Sequence, residues 1–375
     1  MTMPELRPAL PLWAIATLAL SVSACSHSDA FTPADPSTDQ PFSSSPPIRL
    51  TLNPLADLTP SWFPDGSAFI YAFGDGFSQL QNDQCLGIMS PTGGSRRDIC
   101  NTGVHSEDST DTFAFPAVSA GGQLAYVRAS KPLTAQNERY AALVFGPLND
   151  PAHFTTFRTF PFQSGPTLYT STEDPTWLGE SRLALLGTID TSIQCADPPA
   201  CLTNLLIRSG RDILLADLAG GAAAITTVPG TSWATSVARG GSDDEVFYTV
   251  AASSQVFRLT LSGGSPALVH DFLAGGIARD VSVAGSRLAA IVGGAVTVYD
   301  DGAGNPIQQG GAGHLVIVDL VTGAEQELSQ PFTLFRHPAL APDGSSVVAE
   351  AYRVFVSGVD TVVAGSPDLT QFPLQ

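Results

Sequence analysis

The stretch PSWFPDGSAFIYAF, Pro60 to Phe73, constrains the fold more than any other part of the chain, because degraded copies of it return at a near-regular interval. In Pro64-Asp65-Gly66 the proline presets φ, the aspartate suits the next turn position, and the glycine takes the left-handed conformation that closes a bulged hairpin. Two strands therefore meet at this turn. PALAPDGSSVVAEA from Pro338 keeps the same punctuation; PAVSAGGQLAYV from Pro116, PTWLGESRLALL from Pro175, SVARGGSDDEVFYTV from Ser236 and VSVAGSRLAAIV from Val281 are looser copies. The interval is mostly about 55 to 60 residues, a little above that of the commonest four-stranded propeller blades.

A second hairpin phrase follows the first, as in CLGIMSPTGGSRRDIC from Cys85, RDILLADLAGGAAAITTV from Arg211 and HLVIVDLVTGAEQELS from His314. Two hairpins per repeat give four antiparallel strands, and six repeats give an all-β, six-bladed β-propeller. The last repeat has only residues 351–375 in which to finish its blade, while Ile48 to Leu52 is a strand-like run with no partner ahead of it. Pairing the two closes the ring and removes two sheet edges. The repeated P-x-W-x-P-D-G phrase resembles that of the TolB-type family of β-propellers, sharply at Pro60–Gly66 and Pro338–Gly344, over roughly residues 48 to 375. That family's extra N-terminal α/β domain has no counterpart in the stretch before residue 48.

Glycine and proline, 35 and 29 of 375 residues, suit many turns and short strands. Formal net charge is −18, and Lys131 is the only lysine, so no basic stripe exists to neutralise phosphates. Nucleic acid is excluded as a partner on that ground.

Residues 1–24 read as an export signal: Arg7, an apolar run from Leu10 to Ala19, then small residues. Val22-Ser23-Ala24-Cys25 resembles the lipobox of bacterial lipoproteins, which implies a lipid on Cys25; ordinary cleavage after Ala24 is the alternative. Residues 25–47, rich in Ser, Pro, Asp and Thr, form the lipidated cysteine and a tether, and residues 48–375 the propeller. Ser26, in place of the aspartate that retains enteric lipoproteins in the inner membrane, points to the outer membrane, facing the periplasm. Four cysteines remain. Cys85 and Cys100 flank Thr92-Gly93-Gly94 almost symmetrically, and Cys195 and Cys201 bracket a short loop, so two disulfides are expected rather than a metal site.

No catalytic motif, nucleotide loop or metal-ligand spacing is present, and neither cofactor nor metal is expected. The six histidines are scattered singly, and Trp62 and Trp177 share one apolar slot of the repeat, which argues for core. Strand direction sends the long insertions to one face and the tight turns, too short to shape a pocket, to the other. The long-loop face is expected to carry Asn101 to Asp111, with His105, Glu107, Asp108 and Asp111. It also receives the first residues of three blades: Glu173-Asp174, Arg279-Asp280 and Arg336-His337. That face is the candidate binding site for an envelope protein or cell-wall component, with the chain a monomeric scaffold held to the membrane through its lipid alone. An enzyme with a site dispersed around the channel, acting on carbohydrate or lactone, and a glycan or peptidoglycan binder remain open.

Overall fold

The computed structural model describes residues 47–374, less 52–55, 75–84, 95, 100–108, 133–139, 165–166, 190–209, 221–223, 273–275, 294–296, 301–305, 310–311, 358–359 and 364–365. Cys25, Cys100, Cys195, Cys201, His105, Glu107 and Asp108 lie outside these residues, as do the export signal and nearly all of the tether.

Six antiparallel sheets surround one channel. Each innermost strand runs into a short turn and returns: Ala56–Trp62 with Phe69–Gly74, Ser109–Val118 with Gln123–Pro132, Thr167–Leu178 with Arg182–Ile189. The same holds for Ala234–Arg239 with Glu245–Val250, Ala278–Ala284 with Arg287–Val292, and Thr333–Leu340 with Ser346–Ser357. The six repeat phrases are thus the six inner hairpins, and the second phrases supply the outer pairs. Gly66 (φ 71°) and Gly344 (φ 70°) take the left-handed turn position, and Asp65 and Asp343 each accept the amide hydrogen bond of the serine two residues on, at 2.9 Å.

The ring closes through its two ends. In the sixth sheet Asp368–Pro373 is third and Ile48–Arg49 is outermost, with Ile48 opposite Gln371 and Arg49 opposite Thr370. Arg49 is ion-paired to Asp368, and Leu50, buried, donates its amide to the Leu369 carbonyl at 2.8 Å.

Each pair of neighbouring blades encloses its own apolar cluster, because a propeller sheet is covered on both faces. Trp62, Phe69 and Tyr71 of the first blade meet Ala339, Val348 and Leu369 of the last in one such cluster. The Trp62 and Trp177 indoles are buried and tie blades together, donating to the Ala339 and Ala117 carbonyls at 2.9 Å each. The core reading of both tryptophans is correct.

Some insertions are more ordered than loops. The strand Ser109–Val118 takes in Asp111, its partner Gln123–Pro132 is equally long, and Thr297–Asp300 pairs with Pro306–Gln309 as an extra hairpin of the fifth blade. Leu86 lies opposite Ile99 in the outer hairpin, while Cys100 lies outside the described residues.

Candidate functional site

Every innermost strand breaks its ladder at the same level. The register skips between Leu58 and Ser61, Ala114 and Ala117, Glu173 and Thr176, Arg279 and Ser282, and Arg336 and Ala339. In four of these five the second skipped residue is a proline, Pro60, Pro116, Pro175 or Pro338, which has no amide to give the ladder. The first skipped residue is left-handed in all five: Thr59 (φ 50°), Phe115 (53°), Asp174 (50°), Asp280 (51°) and His337 (42°). Such backbone in non-glycine residues costs about 1–2 kcal/mol each, and strained residues cluster where a protein does its work. The fourth blade, without the proline, skips one residue, between Ala234 and Ser236.

Side chains of this level bond the next blade's bulge. Thr59 Oγ1 accepts the Phe115 amide at 3.0 Å, Ser236 Oγ the Val281 amide at 3.2 Å, and Asp280 Oδ2 the His337 amide at 3.3 Å. The sixth blade uses Glu350 of its second strand, whose Oε1 accepts the Thr59 amide at 2.5 Å. Asp174 occupies the same acceptor position in the third blade. Among the described residues its carboxylate receives no hydrogen bond.

The charges at this level are mostly paired. Glu350, fully buried, also accepts from His337 Nδ1 at 2.7 Å and from the Tyr352 hydroxyl at 2.8 Å. Arg336 Nε lies 3.4 Å from Asp280 Oδ2, and Arg211 clamps Glu173 at 2.9 and 3.1 Å. Burial opposes the charge on His337, but the Glu350 carboxylate outweighs it and lifts the imidazole to about 9. The 3.2 Å approach of Arg336 Nη2 to His337 Nε2 is a hydrogen bond only when that nitrogen keeps its lone pair, so the imidazolium forfeits it in favour of the closer carboxylate. Asp280 is held at about 2 although burial works against its charge, because His337 and Arg336 flank it. Asp174 goes the other way: burial foremost, then Glu173 and Asp280, raise it to about 7 against the pull of His337 and Arg211. Arg279 is lowered by burial, with Asp280 opposing and Arg336 and Arg211 adding to the effect; its Nε is buried without a partner among the described residues.

A cavity of about 680 Å³ rises from this level to the short hairpin turns, where Pro64, Glu180, Asp243 and Pro342 form its rim. Its charged lining is four carboxylates, Asp174, Glu180, Asp243 and Asp280, against two cations, Arg239 and His337. The expectation that tight turns are too short to shape a pocket is therefore corrected. The depth comes from the innermost strands themselves, not from loops.

The structure brings together Glu173, Asp174, Arg279, Asp280, Arg336 and His337, but inside the innermost strands rather than on loops of one face. Asp111 begins the second blade; its side chain is not among those described. The four described histidines each meet a carboxylate: His153 Asp150, His270 Glu325, His314 Glu327 and His337 Glu350. No group of three or more His, Cys, Asp or Glu able to hold a metal occurs among the described residues. Thr59, Arg211, Glu350 and Tyr352 were not singled out by sequence. Glu350 did carry a signal: it is the acid in VVAEAY at the position where other blades place Ala72, Val127, Leu186 and Ile291.

Among solved structures, regucalcin from Agrobacterium tumefaciens, a calcium-binding protein, is similar at 10% identity with a TM-score of 0.50, over 88% of this chain and 96% of that one. The fold they share is a β-propeller. TolB from Acinetobacter baumannii is similar at 14% identity and a TM-score of 0.46, and a putative TolB from Agrobacterium tumefaciens at 13% and 0.47. The match to the first covers 86% of this chain and 63% of that TolB; the match to the second covers 87% and 94%. No protein-family model and no curated protein matches the chain.

Proposed function

We propose that the protein is a lipid-anchored binding module of the cell envelope, whose propeller receives a segment of an envelope partner in the central cavity. The observation that carries this reading is the bulge level: five left-handed residues held around one channel, forming the floor of a cavity of about 680 Å³. Val22-Ser23-Ala24-Cys25 supports the anchor, and the Ser- and Pro-rich stretch behind it supports a tether of roughly 25 Å mean reach.

The test is photocrosslinking in native membranes from positions at the cavity rim, Ala120 and Gly241, compared with Thr297 on the opposite face. One discrete adduct from the rim positions, suppressed by excess soluble propeller, is the expected result. Adducts from Thr297 alone would move the binding face to the long insertions and overturn the cavity reading.

A further inference from the structure

We infer that the central cavity receives the cationic end of an extended peptide, a primary ammonium or guanidinium group, which docks on Asp174. This deepens the binding reading above and rests on it.

The hydrogen-bond pattern at the bulge level points to Asp174. Thr59, Ser236, Asp280 and Glu350 all accept an amide of the following blade, so their acceptor capacity is engaged inside the fold. Among the described residues the second and third blades make no such bond: Phe115 has no side-chain acceptor, and Asp174 faces a fourth blade without the two-residue bulge that would offer its amide. Asp174 consequently stands in the channel wall as an acceptor with no donor among the described residues. A half-buried carboxylate in that state lacks compensation inside the fold, and a cation carrying several N–H donors supplies it.

The charge balance of the lining selects the sign. Asp280 is matched by Arg336 and His337 by Glu350, and Arg239 lies 2.7 Å from Asp243. Asp174 and Glu180 are the lining carboxylates without an ion pair among the described residues, and the nearby Arg279 cation, flanked by Asp280, lies outside the lining. Glu180 accepts from the Ser119 hydroxyl at 2.6 Å and the Gly121 amide at 2.7 Å, neither of them a cation. Pro60, Pro116, Pro175 and Pro338 add no amide donors to the wall, so an anion finds few partners there.

The dimensions select an extended chain. From Thr59 to Pro64 is five strand steps, so the cavity is up to roughly 17 Å deep. A cavity of about 680 Å³ spread over that depth is a narrow shaft that suits one extended chain. A folded domain does not enter; a peptide end or a lysine side chain does.

The pH dependence follows from the groups facing Asp174, namely Glu173 on its own strand, Asp280, His337 and Arg211. Asp280 stays ionised and His337 charged from pH 5 to 7, so Asp174 is the facing acid whose shifted titration enters that window. A bound cation favours the carboxylate and expels its proton.

The test uses the full-length protein in detergent, titrated calorimetrically with 1,5-diaminopentane and with a lysine-terminated tetrapeptide, each against its N-acetylated, uncharged analogue. Binding of the charged probes should weaken nearly tenfold per unit as pH falls from 7 to 5, with release of about half a proton at pH 7. Asp174→Asn should weaken it at least tenfold and flatten the pH profile, while its melting temperature at pH 8 stays at or above the parent's. Glu180→Gln should cost two- to threefold. Equal binding of the acetylated analogues, or a D174N variant with the parent's affinity and pH profile, overturns the inference. If the charged probes do not bind but the rim crosslinks persist, the docking of a cation on Asp174 is wrong and the cavity reading stands; if both fail, both fall.

Discussion

Glu350 is the group on which the sixth blade's closure of the bulge level depends, and replacing it tests the electrostatic account of the site. Its carboxylate is fully buried and takes three donors, the Thr59 amide at 2.5 Å, His337 Nδ1 at 2.7 Å and the Tyr352 hydroxyl at 2.8 Å. Glu350→Gln keeps the shape but turns one acceptor into a donor facing donors, and removes the charge opposite His337. Breaking a buried pair by removing one partner costs about 3–5 kcal/mol. The imidazole supplies an independent measure, because lifting it from 6.5 to about 9 corresponds to about 3 kcal/mol of stabilisation. A raised histidine stabilises fully below its unfolded value and loses that contribution as pH climbs through its folded one, here between 6.5 and about 9. Glu350 is lowered despite the opposition of burial, by His337 first, so its own contribution is present above about 4.5 and is lost in acid. The pair is therefore at full strength between pH 4.5 and 6.5. Urea unfolding at pH 6 should place E350Q about 3–5 kcal/mol below the parent, and between pH 7 and 9.5 the parent should lose stability that the variant does not. A variant within 1 kcal/mol of the parent at pH 6, or one that keeps the alkaline slope, refutes the reasoning.

Deleting residues 48 to 52 removes the buried Leu50, two ladder positions and the Arg49–Asp368 pair, and should lower the melting temperature by about 5–10 °C; a parent-like melting curve would mean that the ends do not hold the ring. Non-reducing peptide mapping of exported protein should recover Cys85 with Cys100 and Cys195 with Cys201, and any cross-pair contradicts the hairpin argument. Cys25→Ala should shift the protein from the membrane to the soluble fraction, whereas unchanged detergent partitioning rules out the lipid. Asp174→Asn should stabilise the unliganded fold by about 2–4 kcal/mol at pH 8 and by little at pH 4, since an acid raised to about 7 loses its contribution as pH rises from 3.8 through that value; equal stability at both pH values for parent and variant would mean that the carboxyl is not held as described.

The architecture was legible because turn chemistry repeats where side chains drift. Pro-Asp-Gly at 64–66 and 342–344 fixes two inner hairpins outright, and the looser copies fall into place by spacing and by the glycines at 122, 179 and 285. The closure at Ile48 was legible from an arithmetic deficit of strands in the last blade. The site was half legible. Glu173-Asp174, Arg279-Asp280 and Arg336-His337 stand out as charged pairs ahead of the repeat phrase, but reading that phrase as the start of a strand displaced them to a loop. The prolines at 60, 116, 175 and 338 mark the middle of a strand, a position proline takes only at a bulge. With the bulge missed, the cavity was assigned to the wrong source of depth. The coupling of Glu350 to Thr59 joins residues at opposite ends of the chain, and no local pattern discloses a contact across 291 positions.

The bulge level also explains how one feature serves both stability and chemistry. Five left-handed residues cost roughly 5–10 kcal/mol together, of the same order as the whole stability of an ordinary domain. The six interblade clusters offset that cost: Phe69, Tyr126, Tyr169, Tyr248, Ile291 and Phe335 alone are six large side chains, each buried to within 2% and worth about 1.5–3 kcal/mol. All six lie in the two inner strands of their blades, so the strain and its compensation share the same strands. Interblade bonds then fix where the Thr59, Ser236 and Asp280 side chains point, because their oxygens are tied to the following blade before any ligand arrives. A partner entering the channel meets preorganised groups and loses little to their reorganisation. By the same logic a change that relaxes one bulge should be felt in the neighbouring blade as well as its own. Thr59→Ala, which deprives the Phe115 amide of its acceptor, should therefore increase amide exchange in Ser109–Val118 as much as in Ala56–Trp62, and exchange raised in the first blade alone would show that the blades are coupled only through their apolar faces.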